Sequence, residues 1–519
     1  MTRAAPLLTL RQRLHSTEII GVVIALAGCA AIGFLPLFDG PGYEYALASG
    51  LFLPALVAIA TALRNASTEE PYIRSLERGI YFGLSVAAAA LLVAFAHGLR
   101  VGLCDAKGGS WLFALGPGCG CVLAGTWGAL VGVLCRPVEG KKRVVSAIFL
   151  GFAAPLLCVA VSVWRFYSSP MIFAFDPFVG FFAGALYDTV ISGLDRLQSY
   201  RVGSFGTLLA VIGLVRQMRT PESDQFLPRW QPLRLRNALL LAVGGVLSVA
   251  VTVRGPALGH YQTEGSIVES LGGLRQGQRC EVVYSRELAT RDVALLAREC
   301  DAHVKEIEDY LGTRGPAKIR VFLFDSPEQK SWLMGAATTY IAKPWREEIY
   351  LQAAGFPHPV LAHELAHVIA GTLGRGPFKV AGTWGGLLPD PGRIEGIAVA
   401  AAPSDDADLT AIEWSRAMLD LDLLPPLQSL FGLGFLGQHS SAAYTVAGAF
   451  LQFLRDQVGA PAVGRWYSGE TLEQITGQSL GQWEARFRSY LSTVRISDAA
   501  LQRAKALFNR PSVFARRCP

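Results

Sequence analysis

Residues 363–367 read His363-Glu364-Leu365-Ala366-His367. Histidines four residues apart lie on one face of a helix, so both rings can reach the same ion. Glu364 then stands beside the ion's open position, where it can take a proton from bound water and pass it to a leaving amine. The flanking Val360, Leu361, Val368 and Ile369 predict a buried helix from about Pro359 to Thr372, ending at Gly374 and Gly376. Two histidines and a glutamate on a buried helix are costly unless paired or metal-bound. That weighs against two packed core imidazoles. Catalytic zinc takes three protein ligands and one water. The candidate third ligand is Glu395, 28 residues beyond His367, at the start of a helix opened by Pro391-Gly392. Gly396 and Ala398 would let that helix approach the histidine helix closely. A lone glutamate at a helix start is also an ordinary favourable dipole charge, so the role of Glu395 rests on its company.

The elements around these residues form a mixed pattern. Glu281–Tyr284, Lys318–Phe324 and Glu347–Leu351 read as strands, the last with charges at its start as at a sheet edge. Residues 288–311 repeat apolar positions at helical spacing and stop at Gly312. Beyond residue 376 the pattern is helical almost to the end. The division expected is a membrane domain over 1–254, a Gly-rich linker over 255–279 and a soluble domain over 280–510. His303 and His358 have no partner motif and read as structural or surface residues. Asp390, Asp405 and Asp406 read as turn and cap residues.

Val360-Leu-Ala-His-Glu-Leu-Ala-His-Val368 followed by Glu395-Gly-Ile-Ala398 resembles the gluzincin metallopeptidases, in particular the peptidase MA-like family. Ala443-Tyr444 with Ala449-Phe450 and Phe453-Leu454 is similar to that family's helix after the metal site. Thr471-Leu-Glu with Thr476-Gly477, Leu480, Trp483 and Tyr490 is similar as well. The resemblance covers residues 280–495 or so and none of the first half. It implies an α/β zincin-like domain with a helical C-terminal lobe, one Zn2+ held by His363, His367 and Glu395, and Glu364 as general base and then acid. It further implies a peptide or protein substrate, bound by strand addition along Glu348–Leu351. For the oxyanion, Tyr444 and His439 are both candidate donors; a core tyrosine and an exposed loop histidine are the plain alternatives.

Composition sets the rest of the chain apart. Of 519 residues 51% are hydrophobic and 17% charged, where a soluble protein carries about 25% charged residues. Mean hydropathy is +0.34. Up to Arg254 there are 21 Lys/Arg against 13 Asp/Glu, and from Gly255 onward 26 against 28. The excess positive charge therefore lies in short loops between apolar runs, as membrane topology requires, and not on a nucleic-acid-binding face. Seven runs are long enough to span a bilayer: 18–38, 45–63, 79–98, 112–135, 144–164, 171–193 and 237–253. An eighth, 204–215, is short and reads as interfacial or re-entrant. With the N-terminus inside, basic residues favour the inner loops and the C-terminal domain lies outside the cytoplasm, at a bacterial inner or plasma membrane.

Leu26-Ala27-Gly28-Cys29 has the form of a lipoprotein cleavage box, but the apolar run continues through Phe34 and Leu37, as in a plain first helix. Asp176 and Asp188 lie near the ends of the sixth run and read as interfacial. Cys119-Gly-Cys121 is too short for a CxxC site and reads as packing. Cys280 and Cys300 could pair outside the cytoplasm. The soluble-looking segment around Glu395, with Arg375 and Lys379 close behind the motif, argues against an intramembrane protease. The competing reading is a membrane sensor or transport protein whose zincin-like domain is a non-catalytic module; an intact Glu364, dispensable for zinc binding alone, argues against it.

Overall fold

The computed structural model of the chain describes residues 16–183, 194–218, 234–402 and 409–509. Asp188, Asp405, Asp406 and the second half of the 171–193 run lie outside the described residues. The chain forms two compact units, divided between Thr263 and Glu264.

The first unit contains α1 (Ser16–Ile32), α2 (Tyr43–Ala66), α3 (Tyr72–Val101), α4 (Ala106–Cys135), α5 (Gly140–Ser168), a hairpin of β1 (Phe173–Asp176) and β2 (Gly180–Ala183), α6 (Leu194–Gln217) and α7 (Leu235–Val253). Among the described residues α2–α5 and α7 are long and apolar enough to cross a membrane, and α1 is apolar but shorter. Small residues bring these helices backbone to backbone. A Cβ on Gly79 of α3 would lie 2.4 Å from the Gly125 carbonyl oxygen of α4, and one on Gly128 would lie 2.4 Å from the Ala58 carbonyl oxygen of α2. Such crossings gain packing where lipid is as apolar as the helix. Phe149, Leu157 and Trp164 of α5 face outward.

One expectation fails in this unit. The sixth run is not a spanning helix, because its first half folds as the β1–β2 hairpin, with Phe173 opposite Ala183 and Asp176 opposite Gly180. The turn is set by Asp176, whose Oδ1 accepts from the Phe178 and Val179 amides at 2.8 and 2.9 Å, and by Gly180 at φ +105°. Hydropathy alone does not separate an aromatic hairpin from a helix; the Asp-Pro turn and Gly180 do. Asp176 is therefore a turn anchor, buried and also bonded by Ser162 Oγ at 3.0 Å. The 204–215 run forms the apolar part of the 24-residue α6, which is not among the helices long and apolar enough to cross a membrane.

The second unit begins with α8 (Glu264–Leu271) and β3 (Gly272–Gln276), so most of the expected linker is folded. It continues with β4 (Cys280–Ser285), α9 (Thr290–Leu311), β5 (Ile319–Phe324), α10 (Pro327–Met334), β6 (Ile341–Lys343), β7 (Glu348–Gln352) and α11 (Leu361–Ala370). The sheet order is β3-β4-β5-β7-β6, parallel across β4-β5-β7 and antiparallel at both edges. β7, expected at the edge, is thus interior, and the three-residue β6 covers it. β7 is buried over Glu348–Leu351, its charged start included, because Arg346 pairs with Glu348 at 2.6 Å.

α9 buries Val293, Leu296, Cys300, Val304, Ile307 and Leu311 on one face and ends at Gly312 in the left-handed region, φ +63°. Cys280 and Cys300 form a disulfide that ties β4 to α9. A short hairpin of β8 (Gly382–Thr383) and β9 (Leu388–Pro389) leads into α12 (Pro391–Ala401), followed by α13 (Ala411–Asp420), α14 (Ser440–Val458), α15 (Ala460–Tyr467), α16 (Leu480–Thr493) and α17 (Asp498–Phe508). Phe450, Phe453, Trp466, Trp483 and Phe487 fill this lobe and join the core beneath α11. The coarse expectation of a helical membrane-type half followed by a small mixed sheet with a helical C-terminal lobe agrees with these elements.

Candidate metal centre

α11 forms where the apolar spacing demands a buried helix: Leu361, Leu365, Val368 and Ile369 are essentially inaccessible. Its opposite face carries the two histidines, with ring centroids 4.8 Å apart and planes at 87°. Glu395 reaches them from α12. His363 Nε2 and His367 Nε2 are 3.2 Å apart, and each lies 3.3 Å from Glu395 Oε2. Among the described residues these three are the group of metal-ligating side chains that converge.

The position of Glu395 is fixed from below its helix. Asp390 caps α12, accepting from Arg393 N at 3.2 Å, and its carboxylate pairs with Arg393 Nε at 2.7 Å. Asp390 also accepts from the Gly432 amide at 3.0 Å, and Arg393 donates to the Trp466 carbonyl at 2.7 Å. Asp390 is a cap, as expected, but one shared by three segments. Gly396 does not serve the contact with α11 as expected. A Cβ there would meet the Ala447 carbonyl oxygen at 2.9 Å, so Gly396 seats α12 on α14.

The triangle fits a metal. Ligand atoms about 2.0–2.1 Å from a tetrahedral zinc are about 3.3 Å from one another. Two imidazole Nε2 atoms and a carboxylate oxygen facing one another at that spacing form the donor set of a His2Glu site. Burial would raise the Glu395 carboxyl, yet the two imidazoles override it and hold the group well below the usual carboxylate range. Burial would lower His367, and Glu395 reverses that shift as well. The His363 side chain keeps 24% exposure against 9% for His367, so the cluster opens to solvent on the His363 side.

Glu364 is 6% exposed, and burial pushes its carboxyl up, against the pull of His367 and His363. That is the direction a proton acceptor working near neutrality requires. Two side chains reach this region that the sequence did not single out. Lys330 of α10 is fully buried, donates to the Thr339 carbonyl and lies 4.7 Å from the Tyr340 ring centre. Burial pushes its ammonium down to about 8, opposed by the charge of Glu364. Tyr467 of α15 is buried within electrostatic reach of Glu395, and burial raises its hydroxyl. Neither belongs to a local pattern; tertiary packing alone brings them near.

Tyr444 packs its ring on Phe435 at 5.5 Å, and His439 occupies the N-cap position of α14, outside the metal-ligating cluster. His358 bonds the Gln352 carbonyl at 3.0 Å and through its amide Glu299 at 2.7 Å, a structural role as expected. His303 pairs with Glu306 at 2.9 Å and Glu299 at 3.6 Å on α9. Compared with known proteins, the chain matches no family model and no curated sequence, so the likeness to gluzincins rests on the motif residues alone.

Proposed function

We propose that the chain is a membrane-anchored zinc metallopeptidase whose catalytic domain lies outside the cytoplasm. The observation that carries this reading is the His363–His367–Glu395 triangle, with edges of 3.2–3.3 Å, next to a buried glutamate whose proton affinity is raised. A zinc ion held there would supply Lewis acidity, polarising a carbonyl and acidifying water. Glu364 holds the proton taken from the attacking water and delivers it to the leaving amine. Lys330 sets the positive charge that Glu364 feels from the α10 side. Tyr467, beside Glu395, joins Tyr444 and His439 as a candidate oxyanion donor. β6, which forms the sheet edge next to β7, takes the role expected of Glu348–Leu351: pairing with an extended substrate chain.

The topology follows the same logic with one exchange. If α6 is the sixth crossing in place of 171–193, the number of crossings stays odd. Arg216, Arg219, Arg229, Arg234 and Arg236 remain on the inner side, and Arg196 and Arg201 move to the outer side. A Cys280–Cys300 disulfide supports an oxidising compartment for the second unit.

The test is metal content and peptide hydrolysis of the full chain in detergent. About one zinc per chain, lost in Glu395→Ala and kept in Glu364→Gln, with hydrolysis lost in both, is the expected result. Hydrolysis that survives Glu364→Gln removes the general-base role, and a wild-type chain without zinc removes the site.

A further inference from the structure

In the first unit α6 meets its neighbours at two levels and stands away between them. At one end Leu197 joins Met171, Phe173, Phe175 and Phe181 under the hairpin. At the other, Val215 joins Tyr72, Leu76 and Val133. α6 and α7 lie tightly against each other through Gly206, Gly213 and Gly244; a Cβ on Gly244 would be 2.5 Å from the Gly206 carbonyl oxygen. Between the two apolar clusters a cavity of about 380 Å3 separates this helix pair from α4 and α5. That is within the range of sites for small organic ligands, about 300–1,000 Å3.

Its serine and threonine hydroxyls are already engaged. Thr126 donates to the Val122 carbonyl at 3.0 Å, Ser204 to Tyr200 at 3.3 Å and Thr252 to Ser248 at 2.8 Å. Thr207 donates to the Gly203 carbonyl at 3.0 Å and meets Ser248 Oγ at 2.8 Å. With these hydroxyls bonded to helix backbone or to one another, the wall offers an occupant mainly apolar surface, including Leu123, Leu130 and Leu208. Outside the cavity, the neighbouring surface is apolar too: Leu157, Val161 and Val249 are exposed.

The polar groups gather at one mouth, near the hairpin. Tyr261 donates to the Thr252 carbonyl at 3.1 Å, and His260 pairs with Ser199 Oγ at 2.7 Å. Arg165, at the end of α5, lies 5.9 Å from the Tyr261 ring centre and carries the one full charge in the lining, which includes no carboxylate. We propose that this cleft binds a bilayer amphiphile, with its acyl chain between α4–α5 and α6–α7 and its anionic headgroup at Arg165. The binding is independent of the metal centre.

The test uses the full chain in vesicles doped with photoactivatable lipids bearing a diazirine on the acyl chain. Separate arms carry phosphatidylglycerol, phosphatidylcholine and a free fatty acid, and the labelled residues are mapped by mass spectrometry. The expected result is labelling at 203–211 and 248–252 several-fold above that at Phe149, which faces outward on α5. Thr207→Trp, which fills the cleft, removes that excess. Arg165→Gln, at an exposed position, reduces labelling by the anionic probes and leaves phosphatidylcholine labelling unchanged. Labelling by phosphatidylglycerol assigns the headgroup as a phosphate, and labelling by the fatty acid alone assigns it as a carboxylate. Cleft labelling no higher than at Phe149, or equal for anionic and zwitterionic probes in the wild type, overturns the proposal.

Discussion

Both units bury ionisable side chains, and one group in each is arranged in the opposite way to the other. In the first, Arg201 gives its guanidinium to the Leu115, Pro177 and Gly116 carbonyls, and Asp176 accepts from two amides and a serine. Those groups are saturated by the backbone around them, which is what a structural polar residue needs. In the second, His363, His367 and Glu395 point at one another, and Glu364 lies buried beside them with burial raising its carboxyl. Groups that converge instead of dispersing onto backbone are poised to hold something. Burial alone does not mark a site; the direction in which buried polar atoms point does.

The largest test of this contrast is Glu364→Gln. It is expected to lower kcat by about 10²–10⁴-fold with zinc stoichiometry unchanged, read from peptide hydrolysis beside metal analysis. Next comes a matched pair of structural variants. Asp390→Ala leaves Arg393 unpaired and is expected to cost about 3–5 kcal/mol, seen as a lower denaturation midpoint, and to weaken zinc binding by loosening the first turn of α12. Arg201→Ala orphans three carbonyls and is expected to cost about 3 kcal/mol or more in the first unit, with zinc affinity unaffected. Zinc loss in the second variant would erase the distinction between the units. Cys300→Ser opens a 20-residue loop and is expected to cost about 3 kcal/mol, read from unfolding with and without reductant.

The smallest effect is a pH dependence on α9. Glu299 raises the His303 imidazole, burial opposes it, and Glu306 adds to the rise. A histidine raised in the folded state contributes its stability in full below its unfolded value, about 6.5, and loses it as pH rises through the folded value. The unfolding free energy is therefore expected to fall by less than about 1 kcal/mol as pH rises above about 6.5, and His303→Gln is expected to flatten that slope.

Much of this was legible in the sequence, for identifiable reasons. His363, Glu364 and His367 share a helical period with an apolar flank, and Pro391-Gly392 announces the helix that carries Glu395. β4, β5, β7 and α9 stand close to their expected places because their apolar alternation or helical spacing is strong. The β1–β2 hairpin was hidden by hydropathy, which does not distinguish a buried aromatic hairpin from a helix. The three-residue β6 carries no sequence signal of its own, so the sequence alone places β7 at the edge. Lys330 and Tyr467 belong to no local pattern; only tertiary packing brings them near Glu364 and Glu395.

The shared cap at Asp390 has a consequence for the order in which the molecule matures. All three ligands have been synthesised once the ribosome passes residue 395. Yet the turn that aims Glu395 is held by the Gly432 amide and the Trp466 carbonyl, which emerge later. A nascent chain stopped between those points carries the full set of ligands without the frame that aligns them. Any metal capture by these residues, and any activity that depended on it, would thereby be deferred until the C-terminal lobe has closed.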